Sequence, residues 1–526
     1  MSAAPWETIP QLVADAARRF PDGLALVDHD ERWTFSELEA RVHAAARALI
    51  ASGVGPGDSV SIWAPNIPEW VVVALAIHSV GGVLVPINTR FKAKEAAYIL
   101  NRAGVRRVFT ITDFLDTDYV HLLQEEPAVD VDEIVVLGGP VPDGVVGFAD
   151  FLARGDAVPD ADRAARAAAV GPGDVCHVLF TSGTTGAPKG VVLEHGQICE
   201  AYLVFSEVVD LREGDRYLVV NPFFHSFGLH AGILCCLMMG ATILPLIAFD
   251  PLATMQLIAD ERVTVFPGPP TVYQAMLNHP DFASYDLTSL RVAILGAAAI
   301  PVPLIEELRA RLGMEMVTTG LGITEASGIV TMCRHDDPPE VVGTTTGRAL
   351  PGVQLRIVDD EGDDLPNGEA GELLVRGYNV MRGYLDDPEQ TAAAIDVDGW
   401  LHTGDVGHLR DDGNLVITDR KKDMFIVGGF NAYPAEIEQA MLRHPDIAQV
   451  AVIGVPDERL GEVGMAFVIP RAGADPDADA VIEWCRREFA NYKVPRSVVF
   501  VEALPLNATG KVLKYELRER AGSQRA

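Results

Sequence analysis

Positive charge is scarce in this 526-residue chain: 42 Lys and Arg face 74 Asp and Glu, for a formal net charge of −32. That deficit excludes the broad basic surface that nucleic acid or an anionic membrane requires, while leaving room for a locally basic pocket. Cysteine is scarce too. The six present, Cys176, Cys199, Cys235, Cys236, Cys333 and Cys485, show neither paired zinc-ligand spacing nor the density of a secreted disulfide scaffold. They read as reduced thiols of a cytoplasmic protein, with Cys235 and Cys236 packed in a core, and no catalytic cysteine is expected. The opening MSAAPWETIPQLV lacks the basic and then apolar layout of an export signal. One long uncharged run exists, Gly232 to Phe249, but Gly240, Thr242 and Pro245 interrupt it. It reads as a buried helix running into a buried strand rather than a membrane insertion. There is no internal repeat.

What is present is ample apolar material, 48% of residues, in a chain too long for one core. Thr34 and Glu37 offer a capping box, and Leu38, Val42, Ala45 and Leu49 continue at helical spacing until Gly53. A strand at Val60 to Trp63, a helix at Val71 to Val80, a strand from Val83, a helix at Lys94 to Asn101 and the strand RVFTI continue the alternation. Such a rhythm predicts parallel sheets covered on both faces. A further helix is expected at Leu304 to Leu312. From Gly347 to Asp419 the texture becomes short strands punctuated by Gly and Asp, a β-rich subdomain. A helix opened by Pro434, strands at Val450 to Val455, Met465 to Ile469 and Val498 to Val501, and a helix at Asp479 to Phe489 predict a small α+β unit. The Ala- and Asp-rich stretch 155–174 reads as a surface linker. The charged stretch Asp419 to Asp423 places a boundary there, giving units 1–419 and 420–526.

Phe180 to Gly190, FTSGTTGAPKG, follows the strand-like HVLF. Its glycines let backbone N–H groups converge on an anion, its hydroxyls add donors, and Lys189 supplies a compact cation. It is not a Walker loop, because Gly190 stands where the magnesium-binding Ser or Thr belongs. In order along the chain come NPFFHSFG (221–228), GAAA (296–299), GLGITE (320–325), GELLVRGYNVMRGY (371–384), GWLHTGD (399–405), DRKKDMFIVGGFNAYPAEIE (419–438) and LPLNATGKVLK (504–514).

This ordered series resembles the adenylate-forming (ANL) superfamily, which includes acyl- and aryl-CoA synthetases. The likeness implies a large N-terminal domain of αβ-layered sheets with the β-rich subdomain, and a small mobile C-terminal α+β domain hinged near Lys422. It also implies ATP or an acyl-AMP, Mg²⁺ and coenzyme A. Thr181, Ser182, Gly183, Thr184, Thr185, Gly186 and Lys189 would hold the phosphates. Glu325, with Thr184, would hold the metal, and Thr324 would donate to the α-phosphate. Gly296, Ala297, Ala298, Leu321, Gly322 and Ile323 would line the nucleoside, with Asp405, Ile417 and Arg420 around the ribose. Lys511 would reach the carboxylate and α-phosphate during the first half-reaction. Gly428, Gly429 and Phe430 would replace it for CoA, and His225 would gate the acyl pocket.

That pocket would be lined by His225, Phe227, Gly228, Gly232, Ala297, Ala298, Leu321 and Gly322. The small residues leave room for a fused-ring acid or serve tight packing; both remain open. The texture is most similar to actinobacterial ligases for ring-bearing acids, derived from steroids or terpenoids. Leu321 departs from the family pattern, in which an aromatic residue stacks on adenine. A stack is worth roughly 1–3 kcal/mol, so a weak or lost adenylation half is expected, with a partner adenylating enzyme if it is lost. The alternatives are a carrier-protein-loading enzyme and a medium- or long-chain fatty acyl-CoA synthetase; a homodimer stays open.

Overall fold

The computed structural model describes residues 5–181, 188–296, 300–420, 423–427, 430–432, 434–457, 459–488, 491–506 and 512–525. Two large sheets dominate. One has nine strands, and its parallel part runs, from one side to the other, through Met316–Leu321, Val292–Leu295, Val265–Gly268, Arg216–Val219, Thr242–Pro245 and Leu24–Asp28. The other has eight strands. Its parallel part includes Val175–Thr181, Val83–Pro86, Ser59–Trp63 and Arg107–Ile111, and the antiparallel strands Lys189–Glu194 and Gly383–Tyr384 close one side. Parallel strands need crossovers, which the alternating helices provide.

Local chemistry accounts for the helices. Phe35–Ala51 opens on the expected capping box, with the Thr34 hydroxyl accepting from Glu37 N at 3.2 Å and Glu37 Oε2 accepting from Thr34 N at 2.9 Å. Pro68–Ser79 is buried on every side, which explains why it reads as a continuous apolar run. The run from Gly232 does contain buried helix and then the strand Thr242–Pro245, but the helix begins as a π-helical segment, Phe227–Leu234, before becoming α-helical at Cys235–Met239.

The expected surface linker is a correction. Asp160–Ala169 is a helix, with Asp160 and Asp162 favourably placed in its first turn and Arg163 buried against the body. Six alanines make it helical where its polarity suggests a loop.

Residues 354–420 contain a four-stranded antiparallel sheet, Gln354–Val358, Gly371–Arg376, Leu401–Leu409 and Leu415–Arg420. Beyond it, Ile447–Asp457 and Gly461–Pro470 pair over ten registered positions, with Ser497–Phe500 alongside in parallel. Buried residues of these strands and of the elements packed with them, among them Phe425, Ile453, Phe467 and Cys485 of the helix Ala478–Glu488, form a core separate from those of the two large sheets. All six cysteines are buried and unbridged. Among the described residues, no helix is long and apolar enough to cross a membrane.

Candidate active site

In open α/β sheets, ligands bind beyond the carboxyl ends of parallel strands. Three of the sequence motifs leave that same edge of the nine-stranded sheet. Val219 leads into the 221–228 loop, Leu295 into Gly296, and Met316–Leu321 into the Thr324–Ala326 turn. They also touch. A Cβ built on Gly296 would have Phe227 Cε1 as its neighbour at 4.0 Å, and one on Gly328 would lie 2.7 Å from both Ser226 Oγ and Tyr202 Oη.

Two glycines set the shape of the strand end. A Cβ on Gly320 would fall 2.3 Å from Thr331 O, and one on Gly322 2.1 Å from Gly328 O, so both positions exclude any side chain. Between them Leu321 is half-buried against the main core and pairs with Thr331. After them, Ala326 N and Gly328 N donate to Ile323 O at 3.0 and 2.9 Å, closing a 3₁₀ turn that holds up Thr324 and Glu325. Ser327, at φ 58°, is buried and fixed twice: its hydroxyl donates to Asn379 O at 2.8 Å, and its carbonyl accepts from Tyr202 Oη at 3.0 Å.

Glu325 stands where the two large sheets meet. Its carbonyl accepts from Met381 N at 2.8 Å, and its Oε1 accepts from the Tyr384 hydroxyl at 3.0 Å. Tyr384 belongs to the edge of the eight-stranded sheet and pairs with Val191, which brings its ring under Lys189, whose Nζ lies 4.9 Å from the centroid. Lys189 Nζ also donates to Gln390 Oε1 at 2.6 Å. Burial, reinforced by the Glu325 carboxylate, raises the Tyr384 phenol above its usual range. A cation and a carboxylate therefore gather around one ring, with Thr324 next to Glu325 in the same turn. Glu325 presents hard oxygen ligands, and among the described residues it joins no ion pair, a donor chemistry that fits Mg²⁺.

His225 is half-buried at the head of the π-helical segment, its Nδ1 accepting from Phe227 N at 3.2 Å, and desolvation pushes it down to about 4. Gly228 and Gly232 are tight-packing positions. Added Cβ atoms would meet Pro222 O at 2.2 Å and Val219 Cγ1 at 2.8 Å. Asp405, 3% exposed, pairs in register with Arg420, and Ile417 sits opposite Gly407. Ser182, Gly183, Thr184, Thr185, Gly186, Ala297, Ala298, Lys422, Gly428, Gly429 and Lys511 lie outside the described residues, as do the side chains of Arg420 and Phe430. Tyr384, Gln390, Asn379 and Tyr202 were not singled out from sequence. Tyr384 and Asn379 lie inside the quoted 371–384 motif, the one signal that points to them.

The sequence model of the AMP-binding enzyme family matches residues 13–385, and that of the AMP-binding enzyme C-terminal domain matches 436–511. A 3-[(3aS,4S,7aS)-7a-methyl-1,5-dioxo-octahydro-1H-inden-4-yl]propanoyl:CoA ligase of Rhodococcus jostii (strain RHA1) is 50% identical, covering 97% of this chain and 98% of that protein. The Mycobacterium tuberculosis (strain ATCC 25618 / H37Rv) ligase of the same name is also 50% identical, over 97% of this chain and 98% of its own length. Among solved structures, the anthranilate CoA ligase AuaEII in complex with anthranoyl-AMP superposes with a TM-score of 0.89 at 28% identity, covering 99% of each chain. With Lys189, Glu325 and the strand-end loops arranged as described, this chain belongs to the AMP-binding enzyme family and is an AMP-forming acid–thiol ligase that uses ATP, Mg²⁺ and coenzyme A.

Proposed function

We propose that the chain converts a bulky, ring-bearing carboxylic acid of the fused-ring propanoate type into its CoA thioester. The observation that carries this is the 50% identity, over nearly the full length of both partners, to two ligases named for a bicyclic indenyl-propanoyl group. In the first half-reaction a carboxylate oxygen attacks the α-phosphorus of ATP, and pyrophosphate leaves. In the second the CoA sulfur attacks the acyl carbonyl, and AMP leaves. Phosphoryl transfer of this kind is chiefly positioning and charge neutralisation.

Thr181 and Lys189, with Ser182 to Gly186, hold the β- and γ-phosphates. Glu325 and Thr184 hold Mg²⁺, which when bound neutralises charge on the phosphates, while Thr324 donates to the α-phosphate. Asp405, buried and able to accept two hydrogen bonds, takes the ribose hydroxyls beside Arg420. Lys511 serves the first half-reaction and the segment from Gly428 to Phe430 the second, with the C-terminal unit turning about Lys422. His225, kept neutral by burial, forms an uncharged gate to the acyl pocket. Leu321 offers adenine an apolar contact without a π-face, so adenylation is the weaker half.

The test is a panel of fused-ring, aryl and fatty acids, each supplied with ATP and CoA, and assayed by mass for both adenylate and thioester. Thioester formed fastest from a fused-ring propanoate is the expected result. Preference for a linear fatty acid overturns the substrate class.

A further inference from the structure

Lys189 and Glu325 carry opposite charges within reach of one aromatic ring, and among the described residues neither joins an ion pair. The 383–394 segment explains how they are kept apart. Its strand end, Tyr384, donates its hydroxyl to Glu325 Oε1 at 3.0 Å and lays its ring under the ammonium of Lys189. Its helix, Pro388–Ala394, supplies Gln390, whose amide oxygen takes the Lys189 ammonium at 2.6 Å. The segment is fixed internally: Thr391 Oγ1 accepts from Tyr384 N at 2.9 Å, and the Asp387 carboxylate accepts from Gln390 N at 3.0 Å.

We propose that Tyr384 and Gln390 are positioning residues that hold Glu325 and Lys189 on uncharged partners, leaving both charges available to a metal-bound triphosphate. A direct Lys–Glu pair would cancel the two charges and would have to be broken each turnover. A phenol and an amide orient them without cancelling them. The Tyr384 hydroxyl occupies one carboxylate oxygen, so the other would remain to take a cation. Gln390 holds the ammonium by a neutral contact that phosphate oxygens, being charged, displace readily. The proposal rests on the nucleotide-site reading above.

The experiment measures binding by calorimetry with three probes: α,β-methylene-ATP with Mg²⁺, the same analogue in EDTA, and AMP. In Tyr384→Phe the ring and its contact with Lys189 remain, and one hydrogen bond to a charged group is lost. Binding of the Mg²⁺ complex should weaken by about tenfold, with the EDTA and AMP arms unchanged. Gln390→Glu, which pins Lys189 in an ion pair, should weaken the analogue by about tenfold with and without Mg²⁺, again sparing AMP. A Tyr384→Phe protein that binds all three probes as wild type does, or loses AMP by the same factor as the Mg²⁺ complex, overturns the proposal. A wild-type chain that binds none of the probes overturns the nucleotide-site reading, and the proposal with it.

Discussion

Leu321 ends its strand half-buried, with its backbone N donating to Thr331 Oγ1 at 3.3 Å and no space for a side chain on either flanking glycine. The backbone there is fixed, so exchanging the side chain changes the face that the proposed nucleotide site would show to adenine without moving the strand. Leu321→Tyr should therefore strengthen ATP binding by about five- to a hundredfold, the equivalent of restoring roughly 1–3 kcal/mol of stacking. The readout is pyrophosphate release at limiting ATP, measured apart from thioester formation from a supplied acyl-AMP. Unchanged pyrophosphate release would remove Leu321 as the weak point. Lys189 was singled out in the sequence because it ends a loop dense in glycine and hydroxyls, and Thr324 and Glu325 because GLGITE resembles a motif of the family. Tyr384 was not, because its bond to Glu325 spans 59 positions and nothing local marks a tyrosine at a strand end as anyone's partner.

At the scale of elements, the turn after Met316–Leu321 depends on two chain segments passing closer than a Cβ permits. Gly322→Ala would place a methyl carbon 2.1 Å from Gly328 O, a backbone atom that cannot swing away. The turn must then open, moving Thr324 and Glu325 together. Adenylate formation should drop by more than about a hundredfold, on the order of 3 kcal/mol of transition-state stabilisation, while the thermal midpoint falls only a few degrees because the strand core is untouched. A variant with wild-type pyrophosphate release would show that the turn tolerates displacement. Elements with local signals were readable beforehand. The Thr34–Glu37 box marks its helix start correctly, and the alternation of helix and strand yields the two parallel layers. The Asp160–Ala169 helix was missed because its apolar face is only alanine, so no periodic large residue betrays it. The π-helical start at Phe227 was missed because its eight residues are almost uniformly buried and no 3.6-residue stripe is left to read.

For the molecule as a whole, four imidazoles lie buried between its layers. His195, His78, His177 and His230 follow one another with ring centroids 5.7, 4.7 and 4.9 Å apart, all at 0% exposure. Desolvation first, and in His78 and His177 mutual repulsion second, favours their neutral forms: His195 is pushed down to about 4, His230 to about 3, and the other two well below the usual value. An unfolded imidazole takes up its proton near pH 6.5. Their contribution to stability is thus complete above about pH 6.5 and is lost as the pH falls, each histidine costing about 1.4 kcal/mol per pH unit until its own depressed value is reached. The thermal midpoint should be level between pH 8 and 7 and should fall steeply from pH 6.5 towards 5, with proton uptake on unfolding. A midpoint unchanged at pH 5 contradicts this account.

Because Cys485 lies in the core of the 425–521 region while Cys176, Cys199, Cys235, Cys236 and Cys333 lie in those of the large sheets, the thiols form an internal clock with two dials. A maleimide pulse during slow heating labels whichever sulfur first meets solvent, and mass mapping of the tagged peptides tells which body of the enzyme loosens ahead of the other.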